Sequence, residues 1–261
     1  MSVTFFPWRH ATNVALSLIL ALLPLSFACA SPLSVAAATS LKTALTEVAT
    51  AFQKENPSHK INFIFGSSGK LHTQITQGAP FDLFFSADMD FPESLVKQGH
   101  TAGPAKAFAV GRLAIWSATT DASKLTLSDF SMQQFKRIAI ANPQPAPYGT
   151  RAIEALESAK VLNRVQEKLV FGQDIAQTAQ FIETQNAQVG IIALSLAMQP
   201  GLASKGGFAL IPQSMHKPLE HGFVVTKRAV KNLLANKFSG FILSPAAQKI
   251  LQQHGFSAPQ N

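Results

Sequence analysis

Residues 32–52, PLSVAAATSLKTALTEVATAF, decide how the rest of the chain is read. Pro32 to Ala37 is an apolar run of strand length. Ala38-Thr39-Ser40 follows, and then Leu41, Ala44, Leu45, Val48, Ala51 and Phe52 recur at helical spacing. Thr39 or Ser40 is the natural N-cap of that helix, and Asn56-Pro57 is its stop. A strand that turns through two hydroxyl residues straight into a helix is the building unit of an α/β fold.

The unit recurs downstream. Ile61 to Phe65 reads as a strand, Gly66-Ser67-Ser68-Gly69 as a turn, and Lys70 to about Thr76 as a short helix. Phe81 to Phe85 is a strand and Pro92 to Gln98 a helix. A longer apolar ribbon runs from Ala107 to Ala118. Arg137 to Ala141 is a strand, Asn142 to Gly149 a Pro-rich loop, and about Thr150 to Ala159 a helix. After the strand Lys168 to Phe171, Asp174 caps a helix with Ile175, Thr178, Phe181 and Ile182 at helical spacing. Gly190 to Ala193, Phe208 to Ile211 and Gly222 to Thr226 read as strands; Val230 to Leu243 and Ala246 to His254 close the chain as helices. Such alternation predicts mostly parallel sheets with helices on both faces. Ligands then collect at the carboxyl ends of the strands, where helix N-termini point.

Composition narrows the function. Of 261 residues, 47% are apolar and 14% charged, which excludes a disordered chain. One cysteine excludes a disulfide scaffold. The formal charge of +8 is unclustered and not interleaved with aromatics, so nucleic acid is not the expected partner. Residues 1–30 read as a cleaved secretory signal. Arg9 supplies positive charge, Val14 to Phe27 is apolar, and Ala28-Cys29-Ala30 is a small-residue site for cleavage after Ala30. The alternative is lipidation at Cys29, for which Phe27 fits a lipobox poorly.

Gly66-Ser67-Ser68-Gly69-Lys70 is not a phosphate loop of the nucleotide-binding kind, because Ile64 and Leu71 stand where a Gly and a hydroxyl residue are required. What remains is a turn with two hydroxyls and a positive helix end, which suits an oxyanion. Ala38-Thr39-Ser40 makes the same arrangement, and either one alone is equally a plain N-cap. Ser68 lacks the frame of a hydrolase elbow. His59 and His100 read as solvated, and His216 and His221, flanking Pro218, as surface histidines. Asp88 reads as a cap or turn residue. Tyr148, the sole tyrosine, sits in the Pro-stiffened loop as a wall or donor of a cleft, or as an exposed aromatic.

At these residues the chain resembles the periplasmic molybdate-binding proteins of ABC importers, from about Leu33 to Phe256. The resemblance is carried by Ala37-Ala38-Thr39-Ser40-Leu41, Gly66-Ser67-Ser68-Gly69, the run from Gly78 to Asp88, Ala141-Asn142-Pro143, Pro147-Tyr148-Gly149, Asp174-Ile175 and Gly190-Ile191-Ile192-Ala193. It implies the two-lobed periplasmic-binding-protein fold of type II, each lobe a mostly parallel sheet flanked by helices, with the ligand in the interlobe cleft. It implies Thr39 and Ser40 on the first oxyanion loop, Ser68 on the second, Tyr148 on the loop of the second lobe, and the Ile175 amide at a helix start. Many members carry a Tyr where this chain has Ala193, which leaves the closing role to Tyr148. The implied ligand is molybdate or tungstate, and the implied partner an ABC permease in the inner membrane. A monomer with no enzymatic activity, cofactor or metal-cation ligand is implied, exported to the periplasm. The competing readings are a binding protein for sulfate or another tetrahedral oxyanion, and a secreted serine hydrolase built on Ser68. The lobes are expected at 31–110 plus 225–261 and at 111–224. The chain crosses between them near Lys106 to Ala118 and back near Glu220 to Lys227.

Overall fold

A computed structural model describes residues 1–5 and 32–259; the expected apolar leader segment and its cleavage site lie outside them. The described strands are β1 (Leu33–Ala38), β2 (Ile61–Gly66), β3 (Leu83–Phe85), β4 (Lys106–Gly111), β5 (Leu113–Trp116), β6 (Ile138–Ala141), β7 (Leu169–Gly172), β8 (Val189–Ala193), β9 (Phe208–Leu210) and β10 (Leu219–Val225). The helices are α1 (Lys42–Glu55), α2 (Ser68–Thr76), α3 (Asp90–Lys97), α4 (Pro147–Ser158), α5 (Leu162–Val165), α6 (Ile175–Glu183), α7 (Leu194–Ala197), α8 (Pro200–Ala203), α9 (Leu233–Phe241) and α10 (Pro245–Gln253).

The strands form two five-stranded sheets, ordered β2-β1-β3-β10-β4 and β7-β6-β8-β5-β9. In the first, β1 runs parallel to β2 and β3, and β10 runs antiparallel to β3 and β4. In the second, β6 runs parallel to β7 and β8, and β5 runs antiparallel to β8 and β9. The result is a two-lobed α/β fold with one reversed strand in each sheet. Both lobes share one topology, although no sequence repeat announces it. Each reversed strand follows on an edge strand of the other sheet: β5 follows β4 across Arg112, and β10 follows β9 across residues 211–218.

The chain changes sheet twice. The ribbon Ala107 to Ala118 is two strands in two sheets, broken at Arg112. The return was expected near Glu220 to Lys227, with the first lobe resuming at 225. Yet β10 already pairs within the first sheet from Leu219 onward. Its apolar run lies between β3 and β4 as an interior strand, so the changeover falls before it, in a segment that ends at Pro218.

The helices cover these sheets with their apolar faces. α1 buries Ala44, Leu45, Val48, Ala49 and Phe52. Phe52 meets Phe238 edge-on at 5.3 Å, and Phe85 meets Phe108 edge-on at 5.4 Å. Burial of each such ring contributes about 1.5–3 kcal/mol. This packing fixes the carboxyl ends of β1, β2, β6 and β7, where the chain turns into its helices.

Candidate functional site

Those strand ends converge on a cavity of about 10 Å³. Ala38-Thr39-Ser40 after β1, Gly66-Ser67-Ser68 after β2 and Ala87 after β3 line it from the first lobe. Ala146-Pro147-Tyr148 and Asp174-Ile175 line it from the second. All five residues singled out in the sequence, Thr39, Ser40, Ser68, Tyr148 and Ile175, are therefore brought together. The space is far below the several hundred Å³ of pockets that hold organic ligands. No Lys, Arg or His belongs to the lining.

The helix starts around this cavity keep donors unspent. The first amides of a helix have no acceptor within it. At Thr39, Ser68 and Pro147 the preceding residue supplies no side-chain cap. At α6 the Asp174 carboxylate does cap, accepting from Ala176 N at 2.9 Å and Gln177 N at 3.0 Å. That leaves uncapped the amide of Ile175, which is itself a residue of the lining. The aligned helix dipoles add positive potential at the same point.

The side chains are equally specific. Ser68 Oγ accepts from Ala87 N at 3.0 Å, so its own O–H is free to donate elsewhere. Ser40 and Tyr148 lie with their hydroxyls side by side, and neither oxygen has a protein partner in hydrogen-bond geometry. Burial pushes the Tyr148 phenol well above its ordinary range, so it stays protonated and can donate. The lobes are pinned together around the cavity. Gly69 N donates to Pro145 O at 2.9 Å, Ser195 Oγ to Ser40 O at 2.8 Å, and Gln199 Nε2 to Thr43 Oγ1 at 3.0 Å.

Several placements differ from the sequence reading. Tyr148 is not in a loop but in the first turn of α4, because Pro147 occupies the N1 position, where its fixed φ and missing N–H suit a helix start. His216 and His221 are not surface residues: His221 lies in β10 and is fully buried, and His216, in the segment that leads into β10, is buried as well. Burial holds the His221 imidazole down at about 4. Asp88 does act as a turn residue, accepting from Phe91 N at 3.3 Å and from Ser86 Oγ at 2.8 Å, but burial also raises it to about 6. Ala193 closes β8 opposite Leu113 and does not line the cavity. Ala87 was not foreseen, since its contribution is a backbone amide and an alanine carries no signal of that. His72, one turn further along α2, bonds Ser94 Oγ at 3.1 Å and not Ser68, so no histidine base stands against Ser68 in that helix.

Comparison with known proteins agrees with this geometry. The family model described as bacterial extracellular solute-binding protein matches residues 33–257. The molybdate-binding protein ModA of Rhodobacter capsulatus is 34% identical over 97% of this chain and 99% of its own length. That of Azotobacter vinelandii is 32% identical over 87% of this chain and 90% of its own length. The solved structure of the Azotobacter vinelandii periplasmic molybdate-binding protein superposes with a TM-score of 0.80 at 31% identity, covering 87% of this chain and all of that one. The chain belongs to the bacterial extracellular solute-binding proteins, within the family of the molybdate-binding proteins.

Proposed function

We propose that this protein binds molybdate, with tungstate as a second ligand, between its two lobes and delivers it to the membrane permease of an ABC importer. Thr39, Ser40, Ser68, Tyr148 and Ile175 supply the donors. The protein works in the periplasm as a monomer after removal of residues 1–30. One observation carries the reading: helix starts from both lobes, and two residues whose buried hydroxyls have no protein partner, line a small cavity without a cationic side chain. A buried hydroxyl left unpaired costs about 1–3 kcal/mol, and the oxygens of a tetrahedral dianion are the partners such donors fit. Neutral donors and helix ends hold a dianion without a counter-ion. They also disfavour protonated phosphate, whose O–H needs an acceptor.

Calorimetry tests this directly. Molybdate and tungstate should bind stoichiometrically and far more tightly than sulfate or phosphate; sulfate binding as tightly as molybdate would remove the assignment.

Two serine variants separate binding from folding. Ser40→Ala deletes a hydroxyl that has no protein partner. It should weaken molybdate binding on the order of tenfold while leaving thermal stability intact or slightly raised. Ser68→Ala should weaken binding on the order of ten- to a hundredfold. It should also cost about 1–3 kcal/mol of stability, because the Ala87 amide loses its acceptor. Parent-like affinity in both variants would take the serines out of the site.

A further inference from the structure

Behind the cavity, on the side of the chain crossing, stands a buried histidine that the anion site does not use. His221 Nδ1 lies 2.8 Å from Leu219 O. A carbonyl can only accept, so Nδ1 carries the hydrogen and Nε2 presents a lone pair. That Nε2 is buried and has no partner. The rings of Phe108 and Phe256 wall the imidazole edge-on, at 6.2 Å and 5.3 Å. The third ring against it is Tyr148, at 5.9 Å and 70°. Gly111, the last residue of β4, shows how close the two groups are. A Cβ placed there would touch the Tyr148 hydroxyl and come within 2.7 Å of His221 Cε1. The imidazole edge that carries the unpartnered acceptor and the unpartnered phenolic donor thus both border one point, the place a side chain at Gly111 would fill.

We propose that His221 is the internal acceptor for the Tyr148 hydroxyl, a positioning residue that competes with the bound anion for the phenolic hydrogen and so sets how tightly the anion is held. The inference rests on the anion reading of the cavity. Tyr148 belongs to α4 in the second lobe and His221 to β10 in the first, so their rings meet across the lobes beside the crossing at Arg112. The phenol has one hydrogen, which can turn to the anion, to Nε2 or to the neighbouring Ser40 Oγ. When it turns to the anion, Nε2 is left without a donor in an apolar surrounding. Anion binding bears that loss, and release recovers it. A transported ligand must be let go, and an internal competitor makes release easier without removing any donor from the site.

The sole tyrosine gives a direct readout, because an ultraviolet resonance Raman spectrum of tyrosine reports this one hydroxyl. In anion-free protein carrying Ser40→Ala, so that no neighbouring hydroxyl can accept, His221→Phe should shift the tyrosine bands from those of a hydrogen-bond donor to those of a free phenol. In calorimetry, His221→Phe should bind molybdate about fivefold more tightly than the parent. In a Tyr148→Phe background the same substitution should change nothing, since the competing hydrogen is gone. Unchanged tyrosine bands, equal or weaker binding, or additive effects in the double variant would overturn the proposal. Should the variant fail to fold, the 15N shift of His221 Nε2 in the parent decides: it should move when molybdate saturates the protein, and a static shift overturns the proposal. Absence of molybdate binding by the parent would instead refute the anion reading, while the anion-free spectra would still test the His221–Tyr148 bond.

Discussion

Gly149→Ala should cost more affinity than the loss of any single donor. Gly149 is the third residue of α4, next to Tyr148, and its Cα lies against the carboxyl end of β6. A Cβ there would collide with Ala141 O and lie 2.8 Å from Ala141 C and 2.9 Å from Asn142 C. These are backbone atoms of an interior strand and its turn, and they cannot rotate away. Overpacking of this kind costs about 1–3 kcal/mol or more. Relief requires moving the start of α4, which carries the Tyr148 amide and hydroxyl. Molybdate affinity should fall by about a hundredfold or more, with a clear drop in melting temperature. Gly201→Ala, where nothing lies within 4 Å of the added carbon, is the matched control and should bind like the parent. Parent-like binding by Gly149→Ala would mean that the start of α4 is not a fixed part of the site.

The second large effect is on acid stability. Burial holds His221 at about 4 against an ordinary 6.5. Below pH 6.5 the unfolded chain takes up a proton that the folded protein refuses until about pH 4. Stability present above pH 6.5 is therefore lost as the pH falls to about 4, by about 3 kcal/mol. Asp88 works in the opposite direction. Burial raises it from 3.8 to about 6, so the folded protein takes the proton first and gains stability as pH falls from about 6 to 3.8. That gain is also about 3 kcal/mol, and in the parent the two slopes offset each other. Asp88→Asn removes one of them while keeping an oxygen for Ser86 Oγ and Phe91 N. The variant should be about 3 kcal/mol more stable than the parent at pH 7, and should become acid-labile between pH 6.5 and 4. Denaturant unfolding at pH 7 and pH 4.5 reads both changes. A flat profile in Asp88→Asn would show that His221 is not held neutral by the fold.

The sequence was most legible where local chemistry and position coincide. Strand, hydroxyl turn and helix at Thr39-Ser40 and at Ser67-Ser68, and the acidic cap at Asp174, are all short-range signals. Each was readable without knowing what lies opposite. Tyr148 was assigned to the cavity wall but to the wrong kind of element, because three prolines in Asn142 to Gly149 suggest a loop until one of them is recognised as opening a helix. His221 was misread because Pro218 suggested a loop. What buries it is a strand pairing on both sides with partners far away in sequence, β3 and β4. The Ala87 amide was invisible for a different reason: backbone donors leave no trace in residue type. Local signals therefore identified residues that line the cavity, and the sheet topology, which is nonlocal, decided what stands behind them.

The reversed strands also govern the order in which this molecule can be assembled during synthesis. β4 sits at the edge of its sheet; its strand partner is β10, and a single bridge joins its Val110 to Ser257, later still in the chain. As the chain grows from its N-terminus, β4 appears early and must wait, unpaired, until nearly the whole polypeptide has followed. The second sheet needs nothing later than β9, so the lobe begun first is completed last. Contacts of such long sequence separation form slowly, since the intervening chain must be closed into a loop before they can stabilise anything. Nascent chains stopped anywhere short of Leu219 therefore expose an unfinished sheet edge beside β3, the kind of surface on which incomplete proteins aggregate.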